Sequence, residues 1–365
     1  MILNRIHLGN FRNYETLDLE FHPKLNIFIG RNAQGKTNLL ESIYFLALAK
    51  SHRTSKDKEL IRFNQDEAFV NGNITTSYSN LPLSLSVSGK GKRAKVNHME
   101  VSKLSQYIGH LNVVLFAPED LNIVKGSPQI RRKFINMECG QISKVYINML
   151  SGYQKVLAQK NNYLKQKNVD RVMIDVLNEQ LAYYASLIIL KRQQFVDTIE
   201  KYARKIHADI SNGQEILAVR YKPNIKYEAT EVGALEQELK ALFQETLERE
   251  IERGQALIGP HRDDIAFYIN DFDVQTYGSQ GQQRTTALSV KLAELELINE
   301  EIGEYPILLL DDVLSELDET RQSHLLTSIR NRVQTFVTTT SISDINHAIM
   351  DEMQALGIED GKVKV

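Results

Sequence analysis

The octet Gly30-Arg31-Asn32-Ala33-Gln34-Gly35-Lys36-Thr37 holds the densest chemistry in the sequence. It satisfies G-x-x-x-x-G-K-[ST] in full, after an apolar strand pattern over residues 25–29 and before a helical pattern from Thr37. Glycines in such a loop let backbone N–H groups curl around phosphate oxygens, and the helix start behind it adds favourable dipole charge. Lys36 would reach the β- and γ-phosphates of ATP, and the Thr37 hydroxyl would meet Mg²⁺. The expected ligands are therefore ATP and Mg²⁺, with Gly30 to Thr37 as the ATP-binding loop.

A second constellation lies far along the chain. Ile307-Leu308-Leu309-Leu310 reads as a strand buried on both faces, and it delivers Asp311 and Asp312 to its C-terminal end. Asp311 would share Mg²⁺ with Thr37, and Asp312 would orient or polarise the attacking water, which makes Lys36, Asp311 and Asp312 the catalytic candidates. Ser315-Glu316-Leu317-Asp318 follows; it also fits an ordinary helix cap, with Ser315 as N-cap and Asp318 three residues on. Upstream, Tyr277-Gly278-Ser279-Gln280-Gly281-Gln282-Gln283 leads into a helix, as a second anion site or as a flexible loop with a good cap. His261-Arg262-Asp263-Asp264 admits a metal-site reading, but a surface salt-bridge cluster is the better expectation. Arg12 and Arg53 could meet nucleotide, meet DNA, or do neither.

These residues need elements to hold them. Leu17, Leu19 and Phe21 alternate with Asp18 and Glu20 as in a half-buried strand. Leu39, Leu40, Ile43, Tyr44, Leu46 and Ala47 form the apolar face of a helix behind the loop, residues 59–101 read as short strands, and 111–116 as another. From Ile142 to Leu164 and from Val172 to Ile206, apolar residues recur at three-to-four spacing, which predicts a hairpin of two helices roughly 50 Å long each. Further helices are expected over about 235–252 and 283–301, and short strands over 307–310 and 335–338. The domains are accordingly 1–125 plus 254–365 as a head, and 126–253 as a helical insertion.

With 365 residues, 42% hydrophobic and 25% charged, the composition fits a globular protein with more than one lobe. No secretory signal or membrane-length apolar run is present, so the expected location is cytoplasmic, with no membrane partner. The single cysteine, Cys139, reads as a small half-buried helix residue. A net charge of −2 gives no global attraction to nucleic acid, which leaves two local basic runs: Lys90, Lys92, Arg93, Lys95, and Lys125, Arg131, Arg132, Lys133.

The motif order resembles that of ABC-type ATPases, and the long helical insertion that of their SMC-like branch. Within it the wording is similar to the RecF family of bacterial recombination ATPases. The likeness rests on Asn10-Phe11-Arg12-Asn13-Tyr14, on Asn32 to Glu41, on Ser51-His52-Arg53-Thr54 and on Pro118-Glu119-Asp120-Leu121. It continues through Ile258 to Asp264, Gly278 to Arg284, and Asp311 to Asp318, nearly the whole chain. The resemblance implies an α/β fold, an ABC-type P-loop ATPase head with an inserted helical lobe. It further implies an ATP-dependent homodimer that binds single-stranded, double-stranded and gapped DNA with weak, DNA-dependent ATP hydrolysis. RecR, with RecO and RecA, would be its partners. In that reading Ser279, Gln280 and Gly281 contact ATP in trans, and Asp318 belongs to the loop after the acidic strand. Three features depart from the general ABC pattern: Asp312 in place of the commoner Glu, Thr339-Thr340 in place of a switch histidine, and Glu119 where a glutamine is expected. The alternatives are the nucleotide-binding subunit of an ABC transporter and a small-molecule P-loop kinase.

Overall fold

The computed structural model describes residues 1–166, 168–314, 317–329, 332–340 and 353–364. It forms two compact units: Met1–Asp120, Asp209–Gly213 and Ala287–Val365 in the first, Leu121–Ala208 and Gln214–Thr286 in the second.

The first unit opens with β1 (Ile2–Phe11), β2 (Tyr14–Glu20), β3 (Leu25–Ile29), α1 (Lys36–Leu48), β4 (Glu67–Thr75), β5 (Asn80–Ser88), β6 (Gly91–Val96), β7 (Met99–Glu100), α2 (Leu104–Tyr107) and β8 (Val113–Phe116). It ends with β12 (Ile307–Asp311), α10 (Glu319–Ile329), β13 (Thr335–Thr339), β14 (Met353–Glu359) and β15 (Lys362–Lys364). One sheet is antiparallel in the order β2-β1-β4-β5-β6-β7. Its alternation is clean: Ala68, Val70 and Ile74 on β4 and Leu83, Leu85 and Val87 on β5 are buried, while Asn73 and Ser84 face outward or half-outward. The other sheet runs β15-β14-β3-β13-β12-β8, parallel except at β15, and β8, β12 and β13 are buried along their whole length, as continuous apolar runs require.

Helix α1 packs on β1, β4 and β5 of the antiparallel sheet and on β8, β12 and β13 of the parallel one. A helix between two sheets has no outward face, so every residue from Leu39 to Ala49 is buried, including Glu41 and Ser42. The sequence pattern had predicted only one apolar face. The strands β14 and β15 lie beyond the elements expected from the sequence.

The second unit holds α3 (Leu121–Lys125), α4 (Pro128–Ile142), α5 (Lys144–Leu164), α6 (Arg171–Ile210), β9 (Leu217–Lys222), α7 (Val232–Arg253), β10 (Asp264–Ile269), β11 (Phe272–Asp273) and α8 (Val274–Tyr277). Helix α9 (Gln280–Ile302) starts in this stretch. The two hairpin arms are unequal. α5 has 21 residues and α6 has 40, about 30 and 60 Å at 1.5 Å per residue, not 50 Å each. The span from Ile142 to Leu164 is itself only about 35 Å at that rise, and Ser143 bounds it: it is extended, its hydroxyl accepts from Tyr146 N–H at 3.2 Å, and the chain stops α4 and restarts as α5 there. Leu164, Ile174 and Leu247 close the far end of the arms. The sequence reading assigned 254–365 to the head. Residues 254–286 group instead with the helices, because β10 pairs with β9 from Asp264↔Lys222 to Ile269↔Leu217.

Candidate nucleotide-binding site

The loop between β3 and α1 reverses with Ala33 at φ 66° and Gly35 at φ 113°. Gly35 is required twice, because a Cβ there would also sit 2.6 Å from Asn13 Nδ2. A Cβ on Gly30 would lie 2.3 Å from the carbonyl oxygen of Ile358, so the neighbouring strand β14 dictates that glycine. Tyr14 donates its hydroxyl to Gly35 O at 3.0 Å, and Asn13 Nδ2 donates to Gln34 O at 3.3 Å. Arg31, Asn32 and Ala33 are exposed at the rim. Lys36 is buried and spans the loop, donating to Gly30 O at 2.5 Å and Arg31 O at 3.3 Å.

Parallel pairing brings the distant acids to this loop. Thr37 Oγ1 donates to Asp311 Oδ1 at 3.0 Å, across 274 residues of sequence, and Thr338 Oγ1 donates to the same oxygen at 2.8 Å. Thr338 also accepts from Asp312 N–H at 2.8 Å, which fixes the turn where Asp312 adopts φ 53°. Burial pushes the Asp311 carboxyl up, while the Thr338 and Thr37 hydroxyls oppose that shift. Of Thr339-Thr340, which the sequence places where a switch histidine is usual, Thr339 is buried and Thr340 exposed; Thr338 is the residue in register with Asp311. Glu119 is exposed in a short turn after β8, a strand that pairs in parallel with β12.

Behind the loop, the fully buried Glu41 accepts two hydrogen bonds from Arg12, each 2.8 Å, and one from Ser51. Burial opposes its charge, yet these bonds hold its carboxyl below the ordinary range. Arg53 lies 3.7 Å from Glu41 and donates to Asn38 Oδ1 at 2.8 Å, and Asn38 donates to Asn13 at 2.8 Å. Arg12 and Arg53 thus anchor α1 to the turn that supports the phosphate loop.

At the start of α9 in the second unit, Ser279 N–H donates to Gln282 Oε1 at 2.9 Å and Gln282 N–H donates to Ser279 Oγ at 3.2 Å, a reciprocal capping box. Ser279 and Gln280 are exposed and Gly281 is half-buried. Asp318, exposed, accepts from Arg321 N–H at 2.9 Å and caps α10; Ser315 and Glu316 lie outside the described residues.

A model of the RecF/RecN/SMC N-terminal domain matches residues 2–364. The chain is 60% identical over its whole length, and over the relative's whole length, to the DNA replication and repair protein RecF of Staphylococcus carnosus, and 59% identical on the same terms to that of Staphylococcus epidermidis. The chain belongs to the RecF family. A solved structure described as the recombination mediator protein RecF-ATPrS in the RecFOR pathway superposes with a TM-score of 0.92 at 35% identity, covering 99% of this chain and 97% of that one. An SMC head bound to the C-terminal winged helix of ScpA shares the fold alone, with a TM-score of 0.56 at 16% identity over 100% of this chain and 96% of that one. The fold is therefore that of an ABC-type P-loop ATPase, as in RecF and SMC heads.

In this RecF-family chain, only part of His261-Arg262-Asp263-Asp264 is a surface salt-bridge cluster: Arg262 is exposed and the half-buried Asp264 pairs with Arg131, but Asp263 is buried, and among the described residues no group that could hold a metal is found. Asp263 is buried and accepts from the Tyr221 hydroxyl and from Asn224 N–H at 2.8 Å. Arg192, also buried, lies 3.6 Å from Asp263 and donates to Tyr146, to Asn136 at 2.8 Å and to Pro260 O at 2.6 Å. His261 shares a 2.6 Å hydrogen bond with the Tyr153 hydroxyl, and desolvation lowers its imidazole to about 4. The basic runs are likewise partly consumed. Arg131 is buried in a bidentate pair with Asp264, at 2.7 and 2.9 Å, and Lys92 bonds Asp57 at 2.8 Å; Arg93 and Lys95 stay exposed. Cys139 is fully buried on α4, not half-buried.

Proposed function

We propose that this RecF-family chain is an ATP-dependent DNA-binding protein of replication and recombinational repair. The observation that carries the reading is the joining of Thr37, Asp311 and Thr338 beside a phosphate loop whose glycines are both sterically required. A buried carboxylate paired with a hydroxyl is the hard-oxygen donor set that suits Mg²⁺, which keeps water and phosphate oxygens as its other ligands. Thr37 and Asp311 would hold the ion, which when bound supplies neutralising charge to the phosphates. Lys36 would place its ammonium on the β- and γ-phosphates, the loop N–H groups would cradle them, and Asp312 would orient the attacking water.

At the N-terminus of α9, Ser279 and Gln280 are exposed and Gly281 is half-buried, and the three would meet the γ-phosphate of ATP held by a second copy. ATP then acts as the bond between two copies of the chain, and hydrolysis, slow with Asp312 as the acid, releases them. Gapped and junction DNA, single- and double-stranded, would be held by the closed dimer, with RecR, RecO and RecA as partners and DNA raising the ATPase rate. The named relatives, a DNA replication and repair protein and a mediator of the RecFOR pathway, support this reading. The same relatives, none of them a transporter subunit, leave the transporter alternative without an observation in its favour.

Sedimentation velocity with ATP-Mg²⁺, with ADP and without nucleotide, each with and without gapped DNA, tests the proposal. An ATP-dependent dimer that retains DNA, lost in Lys36→Met and in Ser279→Arg, is the expected result. A protein that stays monomeric with ATP and ignores DNA in every state would overturn it.

A further inference from the structure

The C-terminal strands β14 and β15 bring a two-residue turn to the phosphate loop. Asp360 and Gly361 have φ of 49° and 72°, the paired positive values of a tight hairpin whose flanking residues Glu359 and Lys362 pair. Both turn N–H groups donate to one residue. Asp360 N–H reaches Gln34 Oε1 at 2.8 Å, and Gly361 N–H reaches Gln34 O at 3.0 Å. The fit leaves no slack, because a Cβ on Gly361 would lie 2.9 Å from Asn13 O and 3.0 Å from Asn13 Nδ2. Asn13 is itself bonded to Gln34 O, and Gly30 at the other end of the loop is pressed against Ile358 of the same hairpin.

Resting on the ATP-site reading above, we propose that the Asp360-Gly361 turn is a positioning clamp on the phosphate loop, acting through Gln34. The Gln34 and Gly35 carbonyls are held by four donors: the Gly361 N–H and the Asn13 amide on Gln34, and the Tyr14 hydroxyl and the Leu39 N–H on Gly35. A carbonyl fixed by the scaffold is not free to rotate into the cradle, where its lone pairs would repel phosphate oxygens. The Gln34 side chain, bonded to Asp360, serves the scaffold and not the nucleotide. Residues near the end of the chain thereby set the affinity of a loop more than 300 positions earlier.

The test uses full-length chain and compares Gly361→Val, Gln34→Leu and Lys364→Ala with wild type. Gly361→Val places a branched side chain at positive φ and against Asn13; Gln34→Leu removes the acceptor for Asp360 N–H. Lys364→Ala loosens the exposed Lys364–Glu359 pair of the same hairpin without touching the loop. Fluorescent ATP and ADP binding, ATPase KM and kcat, and nucleotide-free melting temperature are the readouts. In the first two variants both nucleotides should bind about tenfold more weakly, and KM should rise with them while kcat at saturation holds; the nucleotide-free melting temperature should hold in Gln34→Leu, which separates lost positioning from the strain that lowers it in Gly361→Val. Lys364→Ala should behave as wild type. Unchanged nucleotide affinity in both loop-side variants, or an equal loss in Lys364→Ala, overturns the clamp while leaving the ATP site intact. Absence of ATP binding in wild type overturns the clamp and the site reading together.

Discussion

The phosphate loop of the first unit and the Asp263 network of the second are built on opposite plans. Around Asp263, every strong donor finds an acceptor inside the protein: Arg192 serves Tyr146, Asn136 and Pro260, and Tyr221 and Asn224 serve Asp263. Around the phosphate loop, glycines and exposed rim residues present backbone to the outside, and a few side chains, Lys36, Thr37, Asp311 and Thr338 chief among them, contribute charge or hydroxyl. The more crowded set of buried ionisable groups is the scaffold and the sparser one is the site. A saturated network stabilises; a cradle of backbone N–H groups with few side chains binds.

That contrast breaks most visibly at Arg192. Arg192→Ala leaves Asp263 buried without its nearest cation and takes a donor from Asn136 and Pro260 O, and should cost about 3–5 kcal/mol in urea unfolding, whereas Lys36→Ala should leave unfolding within about 0.5 kcal/mol. Similar costs for the two would mean that the second region is not the more saturated.

Acid should sharpen the contrast next. Desolvation lowers both His261 in the second unit and His52 in the first to about 4, against 6.5 for the free side chain. Each is therefore neutral in the folded state, while the unfolded chain takes up a proton below about 6.5. Their contribution is complete above pH 6.5 and is lost as pH falls toward 4, by up to ~3 kcal/mol each. His261→Gln and His52→Gln should each flatten the fall of the urea midpoint between pH 7 and 4.5. If the double variant falls as steeply as wild type, carboxylates are responsible instead.

At the site itself, Asp311→Asn keeps a carbonyl oxygen that can still accept from Thr37 and Thr338, so the fold should persist. Single-turnover ATP hydrolysis should drop about 100-fold. Retention of hydrolysis would remove Asp311 from the chemistry. The smallest effect is expected for Asp312→Glu, which lengthens the acid by one methylene and should raise the ATPase rate by about three- to tenfold.

What the sequence disclosed follows the same division. The phosphate loop and Asp311 are legible because their function depends on local order: strand, glycines, lysine, helix. Thr338 was not separable from Thr339 and Thr340, since only the register with β12 decides which hydroxyl meets Asp311. The strand β14 was missed because Met353-Gln354-Ala355-Leu356-Gly357-Ile358-Glu359 has a glycine inside and no strong alternation; its pairing with β3 makes it a strand. Asp263 and Arg131 looked solvent-facing because charge is written in the sequence but enclosure is not. The full burial of α1 was hidden for the same reason, as Glu41 and Ser42 read as the polar side of an amphipathic helix.

A helix enclosed by two sheets has no end from which to fray into water. Amide protons from Leu39 to Ala49 should exchange with deuterium only through opening of the whole first unit, and nucleotide should slow them no more than it slows β3. The dipole that meets the phosphates is aimed before they arrive. The entropy of ordering that part of the site is lost when the chain folds, not when ATP binds.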